Sequence, residues 1–277
     1  MDSILRPVLQ PVLQPVLRSV FCAASGGASP TNPVQALFAN GEQGAWYDPS
    51  DFSTMFQDAA CTVPVTAAGD PVGRILDKSG NGNHATQASA ASKPILQESG
   101  GLYYLQFDGI DDSLSTGSID FTSTDKMTAV AGVRKLSDAA GMVVELSANY
   151  NNYAGSAYII AGLDFSNGYR ATSRGTAVAN AAQSSAYLVI APNTSVLSAT
   201  HDIPGDSTIM RANGVAQAAG TGDKGNGNFG NYPLYIGRRG GTSLHLNGHI
   251  YQLIVRGALT TDLEPVETFV NSKTGAY

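Results

Sequence analysis

The stretch that decides the fold is residues 207–217, STIMRANGVAQ. Two short strand-like runs, TIMRA and VAQ, flank the dipeptide Asn213-Gly214. Asn-Gly is strongly favoured in a two-residue type I′ turn, because both central residues of that turn need a positive φ. The stretch therefore predicts a tight antiparallel β-hairpin.

The same alternation of short runs and turn residues extends outward from this hairpin, from Trp46 to Arg256. Turn signals include 79–82 (SGNG), 108–109 (DG), 166–168 (SNG) and 247–248 (NG). The runs between the turns predict strands at Val72–Asp77, Leu102–Asp108, Met127–Lys135, Met142–Ser147, Ala157–Leu163, Tyr187–Ala191, Ser195–His201, Ser207–Ala212, Pro233–Gly237 and His249–Arg256. This many short strands at regular spacing indicates two packed antiparallel sheets.

One convincing helix follows the last predicted strand. Thr261 and Glu264 have the spacing of a capping box, and Leu263, Val266 and Val270 form an apolar stripe at helical spacing. Gly275 is placed to end the helix. Charged residues make up only 14% of the chain and glycine occurs 31 times, which suits strands and turns better than further long helices.

The N-terminal segment has a different character. Residues 5–21 read LRPVLQPVLQPVLRSVF, and a proline every fourth residue prevents a helix and favours an extended chain. An extended strip cannot bury its own apolar side chains, so we expect it to bind a neighbouring subunit. The predicted contact residues are Pro7, Val8, Leu9, Pro11, Val12, Leu13, Pro15, Val16 and Leu17. The predicted organisation is an arm (1–21), a linker (22–44) and a domain (45–277).

Charge and hydropathy limit the partners. The net charge of −6 offers no basic face for nucleic acid. No apolar run reaches the roughly 18 residues that suggest a membrane span. The two cysteines, Cys22 and Cys61, do not make a disulfide framework, and we expect free thiols in a protein made in a reducing cytosol.

Four motifs resemble those of a known class of β-sandwich. Residues 77–83 (DKSGNGN), 107–114 (FDGIDDSL), 235–238 (YIGR) and 246–251 (LNGHIY) are similar, in order and spacing, to motifs of laminin-G-like, concanavalin A-like jelly rolls. The resemblance covers roughly residues 70–275 when the terminal helix is included. It implies an all-β, antiparallel two-sheet jelly-roll sandwich, here with an extended N-terminal arm and one C-terminal helix.

An upstream block implies a location. Residues 45–51 (AWYDPSD), 55–58 (MFQD) and 62–73 resemble a block common in structural proteins of tailed phages, as does the arm. The resemblance implies a virion structural or decoration protein, assembled in the host cytoplasm and attached to capsid or tail subunits through its arm. A homo-oligomer is expected, and a trimer would suit the repeat. Head, neck and tail positions remain open.

The alternative function is a carbohydrate-binding module for host-surface glycans. The loop at 149–153 offers Tyr150, Tyr153, Asn151 and Asn152, and residues 226–232 (NGNFGNY) have a similar composition. Tyrosine, asparagine and glycine are typical of adaptable contact surfaces. Simple exposed loops would have the same composition.

Two acidic turns suggest metal ligands. Asp77 and Asn81 occupy positions that resemble the start of a calcium loop, but the glutamate expected at its twelfth position is replaced by Ala88. Asp108, Asp111 and Asp112 form a second acidic group. Turn chemistry explains both groups more simply, so we predict no cofactor and keep calcium as the alternative. The four histidines, at 84, 201, 245 and 249, lack zinc-ligand spacing.

Catalysis is not expected. Glucanases of this general fold carry an E-x-D-x-x-E strand that supplies two carboxylates, and this sequence has no such motif. Glu264 and Glu267 fall on the predicted helix and Glu145 stands alone in an apolar strand. We therefore predict a protein that is not an enzyme.

Overall fold

The computed structural model describes residues 32–148, 154–163, 166–177, 183–241 and 243–277. It confirms a sandwich of two antiparallel sheets with a helix at its C-terminal end. Residues 32–277 form one compact unit, whereas the sequence placed the start of the domain at residue 45. The predicted arm, Cys22 and the residues around it lie outside the described residues.

The described part of the chain contains seventeen strands and two α-helices. In chain order they are α1 (Pro33–Ala36), β1 (Gly44–Tyr47), β2 (Met55–Phe56), β3 (Arg74–Ile75), β4 (Ala85–Thr86), β5 (Ile95–Ser99), β6 (Leu102–Asp108), β7 (Leu114–Asp120), β8 (Lys126–Lys135), β9 (Gly141–Leu146), β10 (Ser156–Leu163), β11 (Ser166–Arg174), β12 (Ser184–Tyr187), β13 (Asn193–Asp202), β14 (Ser207–Ala212), β15 (Val215–Ala216), β16 (Asn231–Ile236), β17 (Asn247–Arg256) and α2 (Glu264–Thr274). No described helix has the length and apolarity needed to cross a membrane.

The strands form one eight-stranded and one nine-stranded sheet. The eight-stranded sheet has the order β15-β14-β13-β8-β17-β6-β5, and β1 also pairs with β17. β6 pairs with residues 247–250 of β17, and β1 with residues 253–256, so the two strands share one edge of β17. The nine-stranded sheet has the order β12-β11-β10-β9-β16-β7-β4-β3-β2.

The hairpin predicted at Asn213-Gly214 is confirmed. Ala212 pairs with Val215, and the two turn residues have φ values of 50° and 79°. The strand predicted at 187–191 is displaced, since β12 covers Ser184–Tyr187. The capping box is wrong: α2 begins after Leu263, without a side-chain cap. Gly275, with φ 63°, ends this helix as expected.

The main core lies between the sheets. Phe107, Phe121 and Phe229 are buried there with the inward aliphatic side chains of both sheets. Burial of side chains of this size stabilises the fold by about 1.5–3 kcal/mol each.

A second apolar cluster covers the outer face of the eight-stranded sheet, the side turned away from the other sheet. Its buried residues come from both helices and from the sheet: Val34, Leu37, Phe38, Trp46, Val130, Val196, Ile254, Leu263, Val266 and Val270. We call this side the helix-covered face. The residues of the predicted linker from position 32 onward therefore contribute to a core.

The AWYDPSD block ties β1 to the C-terminal part of the chain. Trp46 Nε1 donates to Gln252 Oε1 at 2.9 Å, and the Gln252 amide donates to Asp48. Lys78 Nζ lies 3.1 Å from Asp48 Oδ2 and 4.7 Å from the centre of the Trp46 ring. On α2, Lys273 Nζ donates to Ser50 Oγ at 3.0 Å. The block is thus a buried polar network that fixes β1.

Candidate functional site

The outer face of the nine-stranded sheet carries a continuous row of polar side chains. Residues directly opposite each other on neighbouring strands share a face of the sheet. In strand order from β3 to β12, the members of this polar row are Arg74, Thr86, Ser115, Tyr235, Glu145, Tyr158, Thr172 and Ser184. The next row in register faces the core: Leu114, Ile236, Val144, Ile159, Ala171 and Ser185. The pairing register therefore separates a polar outer surface from the core.

Two arginines lie over the polar row. The guanidinium of Arg238 lies 5.2 Å from the centre of the Tyr235 ring. Arg239 Nε lies 3.4 Å from Glu145 Oε2, and Glu145 also accepts hydrogen bonds from Ser147 Oγ at 2.6 Å and Gly240 N at 3.0 Å. Glu145 is thereby buried, while Tyr235 and both arginines stay partly exposed.

A cleft of about 250 Å³ opens beside this pair of arginines. Six residues with polar or charged side chains line it: Gln87, Ser92, Asp111, Ser113, Arg238 and His245. Its volume is close to the lower end of the range for small-ligand sites. Two apolar cavities between the sheets measure only about 10 Å³ each, so neither has room for a ligand.

The first wall of the cleft is the loop between β6 and β7. Asp108 Oδ1 accepts the backbone N–H groups of Ile110 at 2.8 Å, Asp111 at 3.2 Å and Asp112 at 3.4 Å. Asp112 Oδ2 in turn accepts the N–H of Asp108 at 3.1 Å. At Gly109, with φ 78°, a Cβ would lie 2.8 Å from Asn247 Cβ, so this turn requires glycine.

Burial separates the pKa values of the carboxyls in this loop. Desolvation, with the nearby Asp108 charge, raises the pKa of Asp112 to about 7. Burial also opposes the charged form of Asp108, but the three backbone N–H groups outweigh it and lower the pKa of Asp108. The two carboxyls therefore differ in charge near neutral pH.

The second wall is the segment after β4. Gln87 Nε2 donates to the carbonyl oxygen and to Oγ of Ser113, each at 3.1 Å. Ser92 Oγ donates to Asp111 Oδ2 at 2.9 Å, and Ser113 N donates to the carbonyl oxygen of Ser92 at 3.0 Å. These bonds hold the first two walls together.

The third wall is the connection from β16 to β17. Leu246 N donates to the carbonyl oxygen of Gly237 at 2.8 Å, and Arg238 Nη1 donates to the carbonyl oxygen of Gly241 at 2.6 Å. A Cβ at Gly237 would lie 2.3 Å from the Phe107 ring, so glycine is required at this point. The connection thus holds Arg238 and His245 at the cleft.

Polar atoms at the cleft lack partners within the described part of the chain. Arg238 Nε, the adjacent Arg239 Nε and His245 Nδ1 are buried without a hydrogen bond to any described group. Leaving a buried donor or acceptor unpaired costs about 1–3 kcal/mol. Arg134 Nε, His249 Nδ1 and Arg256 Nε, on the other sheet, are in the same state.

The predicted metal ligands fall into two separate groups. The carboxylates of Asp108, Asp111 and Asp112 have ligand atoms within 4.8 Å of one another. Each of them already accepts a hydrogen bond from the loop or from Ser92. Calcium coordination there, which needs six to eight oxygens, stays a prediction.

Asp77 and Asn81 lie in a turn that braces β1. The Asp77 carboxylate accepts hydrogen bonds from Trp46 N at 2.8 Å, Ser79 N at 2.8 Å and Asn83 N at 3.0 Å. Asn81 Nδ2 donates to the carbonyl oxygen of Gly44 at 3.1 Å. These bonds are the turn chemistry that the sequence favours for this motif.

The two predicted glycan loops have different outcomes. Tyr150, Tyr153, Asn151 and Asn152 lie outside the described residues. In the 226–232 segment, Phe229 is buried in the core and Asn228 Nδ2 donates to the carbonyl oxygen of Thr122 at 2.5 Å. Tyr232 donates to the carbonyl oxygen of Ala154 at 3.0 Å. Phe229 and the Asn228 and Tyr232 side chains therefore make internal contacts, while Asn226 and Asn231 stay exposed.

Comparisons with other proteins support the fold alone. The sequence matches no protein-family model. No curated protein is significantly similar to it. Solved structures with a similar fold include the binding domain of Paraclostridial Mosquitocidal Protein 1 (TM-score 0.52, 13% identity, covering 74% of this chain and 51% of that one). The binding domain of Botulinum Neurotoxin DC in complex with SialylT has a TM-score of 0.50 and 11% identity, with coverages of 72% and 48%.

A third similar structure is Domain 4 of AbnA, a GH43 extracellular arabinanase from Geobacillus stearothermophilus, in complex with arabinotriose. Its TM-score is 0.51 at 13% identity, and the match covers 84% of this chain and 100% of that one. The match spans about half the length of the two toxin structures. All three are binding or accessory domains with a β-sandwich of the lectin-like, jelly-roll kind.

Proposed function

We propose that this chain is a carbohydrate-binding domain and not an enzyme. The observation that carries the proposal is the polar cleft, whose buried Arg238 and His245 nitrogens lack described partners. Two of the similar structures hold SialylT and arabinotriose, which is consistent with a sugar-binding role for this fold. Within the polar row Glu145 is the one carboxylate, whereas glycoside hydrolysis needs a pair.

The chemistry of the cleft suits a sugar. A saccharide presents hydroxyl groups that both donate and accept hydrogen bonds, and the cleft offers a carboxylate, an amide, two hydroxyls, a guanidinium and an imidazole. Tyr235 and Tyr158 add partly exposed aromatic surface on the adjoining polar row.

A glycan array with the full-length protein tests this function. We expect binding to at least one saccharide, and a loss of about tenfold or more for Asp111→Ala, which removes a charged acceptor worth about 1.5–3 kcal/mol. The matched control is Asp262→Ala, an exposed aspartate just before α2. An array with no binding to any saccharide would refute the proposal.

The 149–153 loop is a second candidate for the sugar contact. Replacing Tyr150 and Tyr153 by alanine should leave binding unchanged if the cleft alone holds the sugar. A loss in this double variant, with Asp111→Ala unaffected, would move the site to that loop. The array thus decides between the two positions.

We also propose, from the proline repeat, a role for residues 1–21 as an anchor in a virion. The repeated apolar units suit a groove on capsid or tail subunits, and copies in an oligomer would add avidity. Removing residues 1–21 should leave a folded, sugar-binding domain that no longer joins particles. Normal incorporation of the truncated protein would exclude the anchor, and the sugar-binding role would stand.

A further inference from the structure

We infer that the saccharide bound by this domain carries an acidic group, which Arg238 and Arg239 recognise. The inference rests on the proposed carbohydrate-binding function and narrows its ligand. The acidic group is a carboxylate, as in sialic or uronic acids, or a sulfate. Both present oxygens that a guanidinium binds in the same way.

The guanidiniums of Arg238 and Arg239 are incompletely hydrogen-bonded. Arg238 donates to a backbone carbonyl and its Nε is buried without a described partner. Arg239 Nε approaches Glu145 only to 3.4 Å and forms no hydrogen bond to any described group. Neither arginine has the bidentate carboxylate pairing that satisfies a buried guanidinium.

Arginines on the helix-covered face have closer carboxylate partners. On the helix-covered face, Arg211 binds Glu267 through Nε at 2.8 Å and Nη2 at 3.0 Å. Arg256 binds Glu42 at 2.7 Å. Arg238 has no carboxylate partner among the described residues, and Arg239 has only the longer 3.4 Å contact to Glu145, so this pair is less fully satisfied than Arg211.

Other charged and polar side chains surround the two arginines at the cleft. The chain has a net charge of −6, but around the cleft the two arginines lie beside carboxylates, Glu145 against Arg239 and Asp111 in the lining, so the surroundings are of mixed charge. His245 lines the same cleft and can also donate to an anion. Arg170 lies on the same outer face of the sheet, opposite Ile160 and two residues before Thr172. Asp111 is left to accept hydroxyl groups of the same sugar.

Titration of the full-length protein with matched saccharides tests the inference. The probes are 3′-sialyllactose and 3′-sulfolactose, each compared with lactose. We expect at least one acidic form to bind tenfold or more tightly than lactose, with an advantage that shrinks as salt increases. The relative affinity of the two acidic probes identifies which acidic group is preferred.

Three variants test whether the tighter binding of the acidic probe depends on Arg238 and Arg239. Arg238→Gln with Arg239→Gln should abolish the advantage of the acidic probe, and the double Lys variant should retain part of it, because lysine keeps the charge but not the fork of donors. Arg134→Gln is the matched control, since Arg134 Nε is also buried without a described partner but lies on the opposite sheet. A thermal melt checks that each variant is folded.

The possible outcomes distinguish a preference for acidic saccharides from carbohydrate binding itself. Equal binding of lactose and both acidic probes would overturn the inference and leave the sugar-binding role intact. An equal loss in Arg134→Gln would also overturn it, because the preference would then reflect overall charge. Absence of binding to every saccharide would overturn both.

Discussion

The two outer faces of this sandwich are built from similar strands but are used differently. On the helix-covered face, α1 and α2 bury an apolar cluster and the charged side chains pair with one another. On the nine-stranded sheet, the polar row includes partly exposed side chains, among them Tyr235 and Tyr158, and the cleft opens beside it. The helices complete one face, whereas the other presents the polar surface to which we assign the ligand.

The largest expected effect on stability comes from removing the arginine of an ion pair on each face. Arg211→Met would leave the Glu267 carboxylate, only 3% exposed, without its cation, and should lower the free energy of unfolding by about 3 kcal/mol. Arg239→Met removes a longer contact, 3.4 Å, to Glu145, which is also buried but keeps hydrogen bonds from Ser147 Oγ and Gly240 N, and should cost about 1–2 kcal/mol. Urea unfolding of both variants measures the two values. Equal losses of unfolding free energy would show that the ion pairs of the two faces contribute equally to stability.

A smaller effect is expected at two strand glycines. A Cβ at Gly132 would lie 2.0 Å from Thr274 Oγ1 of α2, so Gly132→Ala should push the helix away and cost about 1–3 kcal/mol. At Gly117, on β7, a Cβ would meet no atom within 4 Å, and Gly117→Ala should change stability by less than about 0.5 kcal/mol. Thermal unfolding compares them. A destabilised Gly117→Ala would mean that this part of the second sheet is also covered.

A third effect concerns pH, and its sign differs between the faces. Burial opposes the charged form of Glu42, but the hydrogen bonds from Arg256, from the backbone of Glu42 and from Asn40 together outweigh it and lower the pKa of Glu42 to about 2. Because this folded-state pKa is below the unfolded value, the stability that Glu42 contributes is present above about pH 4.5 and is lost as pH falls towards 2.

Asp112 has the opposite sign. Its pKa of about 7 in the fold exceeds the unfolded value of 3.8, so the folded state holds the extra proton and stability falls as pH rises from about 4 to 7. Asp112→Asn should remove this fall, and Glu42→Gln should remove the acid-side loss. Urea unfolding between pH 2 and 8 measures both slopes. An unchanged slope in Asp112→Asn would place the proton on another group.

Much of the fold is predictable because its signals are local. The strands at Leu102–Asp108 and Ser207–Ala212 lie where turn residues and apolar runs place them. β11 was missed because its first residues, 166–168 (SNG), have the composition of a turn. Alternation in the rest of that strand, with Tyr169 and Ala171 buried in the core, was the signal that could have found it.

The candidate site was harder to predict because it is assembled from three distant segments. Asp111 was singled out as an acidic turn residue, but Gln87 and Ser92 come from one segment and Arg238 and His245 from another. Arg238 is part of the YIGR motif, which indicated the fold and not a ligand. Only the cross-strand register brings these groups together, and no spacing in the sequence encodes it.

The pairing of β1 with β17 has a consequence for synthesis on the ribosome. The described strand partner of β1 is β17, some 200 residues later in the chain. The Trp46 and Asp48 side chains also form their hydrogen bonds with Gln252 of that strand. During synthesis β1 therefore has only the contacts of the 77–83 turn, and lacks its strand partner, until residues 247–256 emerge. Such long-range pairing slows folding and prolongs exposure of apolar segments, so assistance by chaperones should matter most before the last strand is made.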